Sequence, residues 1–213
     1  MQSLKTNKFY IESLGCAKNQ VDSEVLLHKL SEKGWEYVEQ AEQADLIIVN
    51  SCGFIQPAKE ETIETVISFR EAYPDKKVLL AGCFAQRYGE TLLEQLPEID
   101  GVFGNHDLNL IESVSSQVIE GERPAVLPDW QYSPAFRSRL FSFPGSSYVK
   151  TSEGCNHRCS FCAIPLIRGP LKSIPMEEVL RQIRELLHQG VVEINLIAQD
   201  LAAYGSDQGQ QEF

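Results

Sequence analysis

Residues 45–50, which read DLIIVN, decide the fold of this 213-residue chain. A run this short and this rich in bulky, β-branched residues is typical of a strand buried on both faces of a parallel sheet. Strands are also predicted at Lys8 to Leu14 and at Val78 to Ala81, and a segment with helical spacing of apolar residues follows each of the three. The alternation over residues 8–128 therefore predicts an α/β domain built on a parallel sheet with short crossovers.

A segment rich in proline and glycine separates this domain from a second unit. We interpret the segment as a linker, because proline and glycine favour turns over regular structure. The second unit repeats the strand, helix, strand order, and no packing pattern is visible in the tail after Gly205. The predicted parts are a first domain at 1–128, a linker at 129–147 and a second unit at 148–213, with strands at 148–151 and 191–198 and a helix at 175–190.

Composition and charge exclude several classes of protein. The formal net charge is −11, and an acidic surface repels phosphate backbones, so we expect no direct nucleic-acid binding. Apolar stretches are far shorter than the roughly 20 residues that cross a bilayer, which argues against a membrane protein. The first residues lack the apolar core of a signal peptide, so we expect a cytoplasmic location.

The six cysteines are better explained by metal binding or catalysis than by three disulfides, because the cytosol is reducing. Cys16, Cys52 and Cys83, here called the sheet-edge triad, each follow a predicted strand. The carboxyl ends of parallel strands share one edge, where α/β folds bind ligands. We therefore favour a metal site; the alternative is that three small residues simply pack at strand ends.

Cys155, Cys159 and Cys162, here called the loop triad, form a C-x3-C-x2-C motif. Thiolates this close in one loop suit an iron-sulfur cluster or zinc. A structural zinc site normally has four ligands, and this loop offers three cysteines, so a cluster with one open iron is favoured. A redox C-x-x-C pair at Cys159 and Cys162 is the weaker alternative.

The motifs together resemble those of the radical S-adenosylmethionine (SAM) methylthiotransferases. The resemblance runs from about Phe9 to Gly205 and is closer to the RimO-like branch, which modifies a ribosomal protein, than to the MiaB-like branch, which modifies tRNA. It implies a flavodoxin- or Rossmann-like first domain followed by the truncated start of a radical SAM partial (β/α) barrel. The blocks that carry it are SLGCAKNQVDSE (13–24), VNSCGFI (49–55), AGCFAQRY (81–88), EGCNHRCSFCAIPLIRG (153–169) and EINLIAQD (193–200).

This resemblance implies a transferase with two [4Fe-4S] clusters and SAM as cofactors. The loop triad would hold the cluster that binds SAM and generates its radical, and the sheet-edge triad would hold an auxiliary cluster that carries the transferred sulfur. The substrate would be an aspartate of small-subunit ribosomal protein S-twelve, methylthiolated at its β-carbon, with an unidentified electron donor. Phe161 would pack near the adenosine, and Arg168, Gln199 and Asp200 would lie on the cofactor side; the alternative for these three is solvated loop residues. No side chain is assigned as catalytic.

The chain also departs from the family pattern. Ile174 stands where the family usually has arginine, and Leu201 with Ala202 stand where it usually has threonine. A βαβ unit needs about 30 residues, so residues 141–213 hold about two barrel strands. We therefore expect this chain to be inactive alone. A non-catalytic iron-sulfur or zinc binding module is the alternative from another functional class.

Overall fold

The computed structural model describes residues 6–133, 136–142 and 144–209. Within these ranges no helix is long and apolar enough to cross a membrane. The strands are β1 (Lys8–Ser13), β2 (Glu36–Tyr37), β3 (Leu46–Ser51), β4 (Lys77–Gly82), β5 (Gly101–Phe103), β6 (Ala125–Val126), β7 (Ser146–Lys150), β8 (Ser152–Glu153), β9 (Lys172–Ser173) and β10 (Glu193–Ile197), and the helices are α1 (Ala17–Glu32), α2 (Gln56–Ala72), α3 (Cys83–Gln95), α4 (Ile111–Ile119), α5 (Ile164–Ile167) and α6 (Met176–His188).

The first six strands form one parallel sheet in the order β2-β1-β3-β4-β5-β6. β3 lies in its interior and all six of its residues are buried, as the bulky, β-branched run from Leu46 to Val49 predicts. The α/β prediction is therefore confirmed. The two edge strands β2 and β6 have two residues each and were not predicted.

Apolar side chains cover both faces of this sheet. Alternate residues of a strand point to opposite faces, so Ile48 packs in one core with α1 and α4, and its neighbour Ile47 packs in a second core with α2 and α3. This arrangement buries the central strands from both sides and leaves the carboxyl ends of β1, β3 and β4 as the place where loops and ligands can meet.

The second unit is built on a shorter sheet. β7 pairs in parallel with β10, and α6 connects them, packing its buried Val179 and Leu186 against Val149. β8 and β9 form a separate antiparallel pair. Ile174, where the family pattern has arginine, is buried in this small core and is 5% exposed.

The described residues between the two sheets are packed against the first domain. Arg137 forms a buried ion pair with Glu24 of α1 at 2.9 Å, and the backbone N–H of Phe141 donates to the same carboxylate at 2.8 Å. The Phe141 ring contacts the core of the first sheet. Breaking one side of a buried pair of this kind typically costs about 3–5 kcal/mol, so this segment helps to tie the second unit to α1.

The prediction that the tail after Gly205 has no packing pattern was wrong for its first residues. Asp207 accepts hydrogen bonds from the backbone N–H of Ser173 at 2.9 Å and from the Ser173 hydroxyl, and Gln208 donates to the Ser173 carbonyl at 2.9 Å. Polar side chains hold this turn, which a search for apolar periodicity does not detect. Residues 210–213 lie outside the described residues.

Candidate iron-sulfur centre

The sheet-edge triad occupies neighbouring positions because its strands are neighbours. β1, β3 and β4 are adjacent in the sheet, and Cys16, Cys52 and Cys83 follow Ser13, Ser51 and Gly82, the last residues of these strands, by three, one and one positions. Cys16 also precedes the first residue of α1, and Cys83 is the first residue of α3. All three thiols are free, with Cys16 exposed, Cys52 half-buried and Cys83 buried.

Asn19, in the first turn of α1, connects these strand ends. Its side-chain oxygen lies 3.4 Å from the Cys83 sulfur and 3.9 Å from the Cys16 sulfur. Its side-chain amide donates to the carbonyls of Leu14 at 3.2 Å and Ser51 at 2.8 Å, which are the residues at the ends of β1 and β3. One buried amide therefore contacts residues at, or directly after, the ends of β1, β3 and β4.

Glycine is required where these turns approach one another. A Cβ added to Gly53 would lie 2.7 Å from the Phe84 Cα and 2.9 Å from the Cys83 carbonyl oxygen, so the backbones after Cys52 and at Cys83 are in direct contact. A Cβ at Gly15 would lie 2.7 Å from the Cys52 Cβ, which places the residue before Cys16 against Cys52. The turns thus bring the three cysteines to one small region.

The loop triad lies between β8 and α5, where backbone hydrogen bonds set the shape of the loop. The Cys155 N–H donates to the Gly169 carbonyl at 3.1 Å, and the Cys162 N–H donates to the Cys159 carbonyl at 3.0 Å. Gly154 has φ +69°, and a Cβ there would lie 2.1 Å from the Pro170 carbonyl oxygen, so only glycine fits before the first cysteine. Cys159 is exposed, and the other two are half-buried.

The two triads approach each other at one apolar contact. Cys83 packs with Ala163 and Ile167, and Ala163 directly follows Cys162. Sequence reasoning did not predict this contact, because it placed the triads in separate units.

The four residues predicted to lie near the cofactor differ in their exposure and in their contacts. Phe161 is 85% exposed. The Asp200 carboxylate lies 2.8 Å from the His157 ring inside the loop triad, and the Gln199 side-chain oxygen accepts a hydrogen bond from Lys18 of α1. Arg168, in contrast, is 4% exposed and lies between the two units. The structure thus brings Asp200 to the loop and Gln199 to α1, and it buries Arg168 while Phe161 is exposed to solvent.

A buried cluster of charges around Arg168 was missed by sequence reasoning. The Arg168 guanidinium contacts Asp22 of α1 at 2.9 Å and Glu153 of β8 at 3.0 Å, while Lys18 and Lys150 contact Glu153 at 3.0 and 2.6 Å. The available signal was that Lys18 and Asp22 lie four residues apart on one face of a helix that is otherwise mostly buried.

Burial and pairing shift the pKa values in this cluster. Burial lowers the pKa of Lys18 to about 8, against the attraction of Glu153. Burial opposes the charge of Lys150 as well, but Asp22 and Glu153 outweigh it and raise the pKa of Lys150. Burial raises the pKa of the Cys83 thiol to about 11, although the nearby Arg168 favours the thiolate. Charge pairing therefore offsets desolvation for Lys150 more completely than for Lys18.

The donor atoms suit iron in both places. Six free thiols in two groups of three are soft ligands of the kind that bind iron-sulfur clusters. Across residues 6–133, 136–142 and 144–209 no three His, Cys, Asp or Glu side chains are already spaced to bind one metal ion. Each triad fits a cluster for two reasons. Its ligands are thiols, and the strand ends or loop turns bring its cysteines close together.

Comparison with known proteins agrees with this combination of fold and site. The model of "Uncharacterized protein family UPF0004" matches residues 8–104, and that of the "Radical SAM superfamily" matches residues 149–207. A parallel-sheet domain carrying one cysteine triad, followed by a radical SAM cysteine loop, defines a radical SAM methylthiotransferase type of protein.

Three curated relatives indicate which methylthiotransferase family the chain resembles. The chain is 44% identical to "Ribosomal protein uS12 methylthiotransferase RimO" of Treponema denticola, over 89% of this chain and 42% of the relative. It is 44% identical to the RimO of Desulfotalea psychrophila over 95% of this chain and 47% of the relative, and 45% identical to that of Syntrophomonas wolfei over 92% and 46%. The chain belongs to the RimO-like methylthiotransferase family, and it spans about half the length of these curated relatives.

Proposed function

We propose that this chain is the cluster-binding part of an enzyme that methylthiolates the β-carbon of an aspartate in ribosomal protein uS12. The observation that carries the proposal is the meeting of the two triads, where Cys83 packs against Ala163, the residue after Cys162. A sulfur-carrying site and a radical-generating site have to act on the same substrate carbon, so they have to be neighbours. The relatives reported above are named for uS12, which favours this substrate over tRNA.

The proposed ligand sets are the two cysteine triads, each with three thiolates for one [4Fe-4S] cluster. When bound at the loop triad, a cluster together with SAM would supply the radical chemistry that cleaves an unactivated C–H bond. The chain's own residues gather the thiolates and shape the loop. We propose that Phe161, Gln199 and Asp200 contact SAM. Arg168, predicted with them, instead contacts Asp22 and Cys83, which points to another role.

A groove at Cys16 supports substrate access to the sheet-edge triad. It has a volume of about 370 Å³ and is lined by residues of both units, among them Ser13, Gln20 and Tyr148. Because Cys16 is the exposed member of its triad, we propose that the substrate side chain enters here.

The remaining proposals concern organisation and partners. We propose the division into a first domain at 1–128, a linker at 129–147 and a second unit at 148–213. An electron donor is needed to reduce the clusters, and a reducing, cytoplasmic setting keeps thiolate ligands available. We propose no membrane contact and no direct nucleic-acid contact for this chain, the latter because of its net charge of −11.

Anaerobic reconstitution with iron and sulfide tests the ligand sets. We expect about eight irons per chain, with acid-labile sulfide in equal amount. Replacing all three cysteines of either triad by alanine should leave about four irons, and the two triple variants serve as controls for each other. Zinc bound without sulfide would show a zinc module instead, and iron that is unchanged by removal of the sheet-edge triad would contradict the assignment of that triad.

A further inference from the structure

Arg168 is held inside the protein by groups from both units. Its Nη2 atom lies 2.9 Å from the Asn19 side-chain oxygen, 2.9 Å from Asp22 Oδ2 and 3.2 Å from the Cys83 sulfur. Its Nη1 atom donates to Glu153 Oε2 at 3.0 Å. Two carboxylates and an amide thus accept from a guanidinium that is 4% exposed, and the fork geometry of arginine makes these contacts possible at once.

These contacts form a continuous polar path between the two triads. Cys83 belongs to the sheet-edge triad, and Glu153 is two residues before Cys155 of the loop triad. The Arg168 backbone follows α5, and the carbonyl of the next residue, Gly169, accepts from the Cys155 N–H at 3.1 Å. Arg168 therefore contacts one cluster ligand by its side chain and lies beside another by its backbone.

We infer that Arg168 is a positioning residue, oriented by Asn19, that fixes Cys83 relative to the cysteine loop and places a hydrogen-bond donor and positive charge at the sheet-edge triad. This inference rests on the proposed function, because it takes Cys83 as a cluster ligand. Hydrogen bonds to the sulfurs and nearby charge are among the factors that set the reduction potential of an iron-sulfur cluster. A cationic donor at a ligand sulfur favours the reduced, more negative cluster, so Arg168 should raise the potential of the auxiliary cluster.

Arg137 provides a matched control. It is buried like Arg168, pairs with Glu24 of the same helix α1 at 2.9 Å, and also joins α1 to the second unit through Ser147 at 3.4 Å. Among the residues that the structure describes, its hydrogen bonds are to Glu24, Ser147 and Gln189, and none of them involves a cysteine. A purely structural role for Arg168 would make the two arginines equivalent at the cluster.

The experiment uses the full chain with all three cysteines of the loop triad replaced by alanine, so that only the sheet-edge triad can bind iron. Into this background Arg168→Gln, Arg168→Lys and Arg137→Gln are introduced, and each protein is reconstituted anaerobically. The measurements are iron per chain, the electron paramagnetic resonance spectrum of the reduced cluster, its midpoint potential, and thermal unfolding of the cofactor-free protein.

We expect Arg168→Gln to lower the midpoint potential and to change the spectrum, or to fold and yet fail to retain about four irons per chain. Arg168→Lys should restore part of the potential because it keeps the charge without the fork, and Arg137→Gln should change neither potential nor spectrum. Equal potentials and spectra in Arg168→Gln and Arg137→Gln would overturn the inference. If Arg168→Gln does not fold, Arg168→Lys is compared with Arg137→Lys by the same criteria.

Failure of the proposed function gives a different result. In that case the background protein with Arg168 and Arg137 intact binds no iron with sulfide, before any arginine is changed.

Discussion

Gly53 shows how one missing side chain shapes the candidate centre. Its φ is not in the left-handed region, so the reason for glycine here is space: the backbone of Cys83 and Phe84 occupies the position where a Cβ would lie. Close approach of the turn after β3 to the start of α3 is what brings Cys52 and Cys83 together.

We expect Gly53→Ala to destabilise the protein by about 1–3 kcal/mol, as overpacking usually does, and to reduce the iron bound at the sheet-edge triad. Thermal unfolding and iron analysis measure the two effects. Gly190→Ala is the control: Gly190 has φ +89° but nothing within 4 Å of an added Cβ, so that variant should lose about 1–2 kcal/mol to backbone strain and keep its iron. Equal iron loss in both variants would contradict the role given to Gly53.

At the scale of single residues, the location of three cysteines and their neighbouring glycines at strand ends could be predicted, because the predicted strands and the glycines are visible in the sequence. Asn19 and Asp22 could not be assigned a role in the same way. Their partner Arg168 is 149 and 146 positions away along the chain, and periodicity describes only local spacing. The burial of Arg168 depends on how the second unit packs against α1, which no local pattern reports.

At the scale of elements, prediction succeeded where the pattern of apolar residues is clear. The sheet interior follows from short runs of bulky residues, and α1 and α6 follow from apolar residues at helical spacing. Four strands, β2, β6, β8 and β9, have two residues each and are too short to show a periodic pattern in the sequence. They form because they pair with a neighbouring strand. α3 begins at Cys83, directly after β4, because Gly82, with φ +90°, turns the chain into the helix.

The turn at residues 206–208 provides a pH-dependent prediction at this scale. Burial would raise the pKa of Asp207, but hydrogen bonds from Ser173 outweigh it and hold this pKa below the usual 3.8. The folded state therefore prefers the charged form, and the stabilisation is complete above pH 3.8 and disappears as the pH falls through the lower pKa of the folded state.

We accordingly expect Asp207→Asn to lower the stability of the cofactor-free protein by about 1 kcal/mol at pH 7. The difference from the unchanged protein should shrink as the pH falls below 3.8. Thermal unfolding across the pH range measures it, with Asp129→Asn, at an exposed carboxylate, as the control. A difference that stays constant down to low pH would show that the charge of Asp207 does not stabilise the turn.

At the scale of the whole molecule, the second unit is open on one side. In the part of the chain that the structure describes, its parallel sheet has two strands, β7 and β10. Beside them lies an apolar groove of about 650 Å³, where Met176, Leu196 and Leu201 are each about half exposed. Radical chemistry requires a site that excludes water, and a two-stranded sheet with an open groove beside it does not exclude water.

We therefore expect the 213-residue chain, even when both triads are loaded, to leave uS12 without a methylthio group. The measurement is mass spectrometry of uS12 after incubation with SAM and a reductant. The longer Treponema denticola relative, treated in parallel, is the positive control. A mass increase of uS12 with the 213-residue chain would show that two barrel strands suffice, and modification of a tRNA adenosine instead would identify the MiaB-like alternative.

The buried charges shared by α1 and the second unit also affect how the protein is made. Asp22 and Glu24 leave the ribosome early, but their partners Arg137, Lys150 and Arg168 follow 113 to 146 residues later. At about 5–20 residues per second, roughly 7 to 30 s pass before the last partner is synthesised. Until then these side chains of α1 can be satisfied only by water, so the contacts between α1 and the second unit are among the last to form.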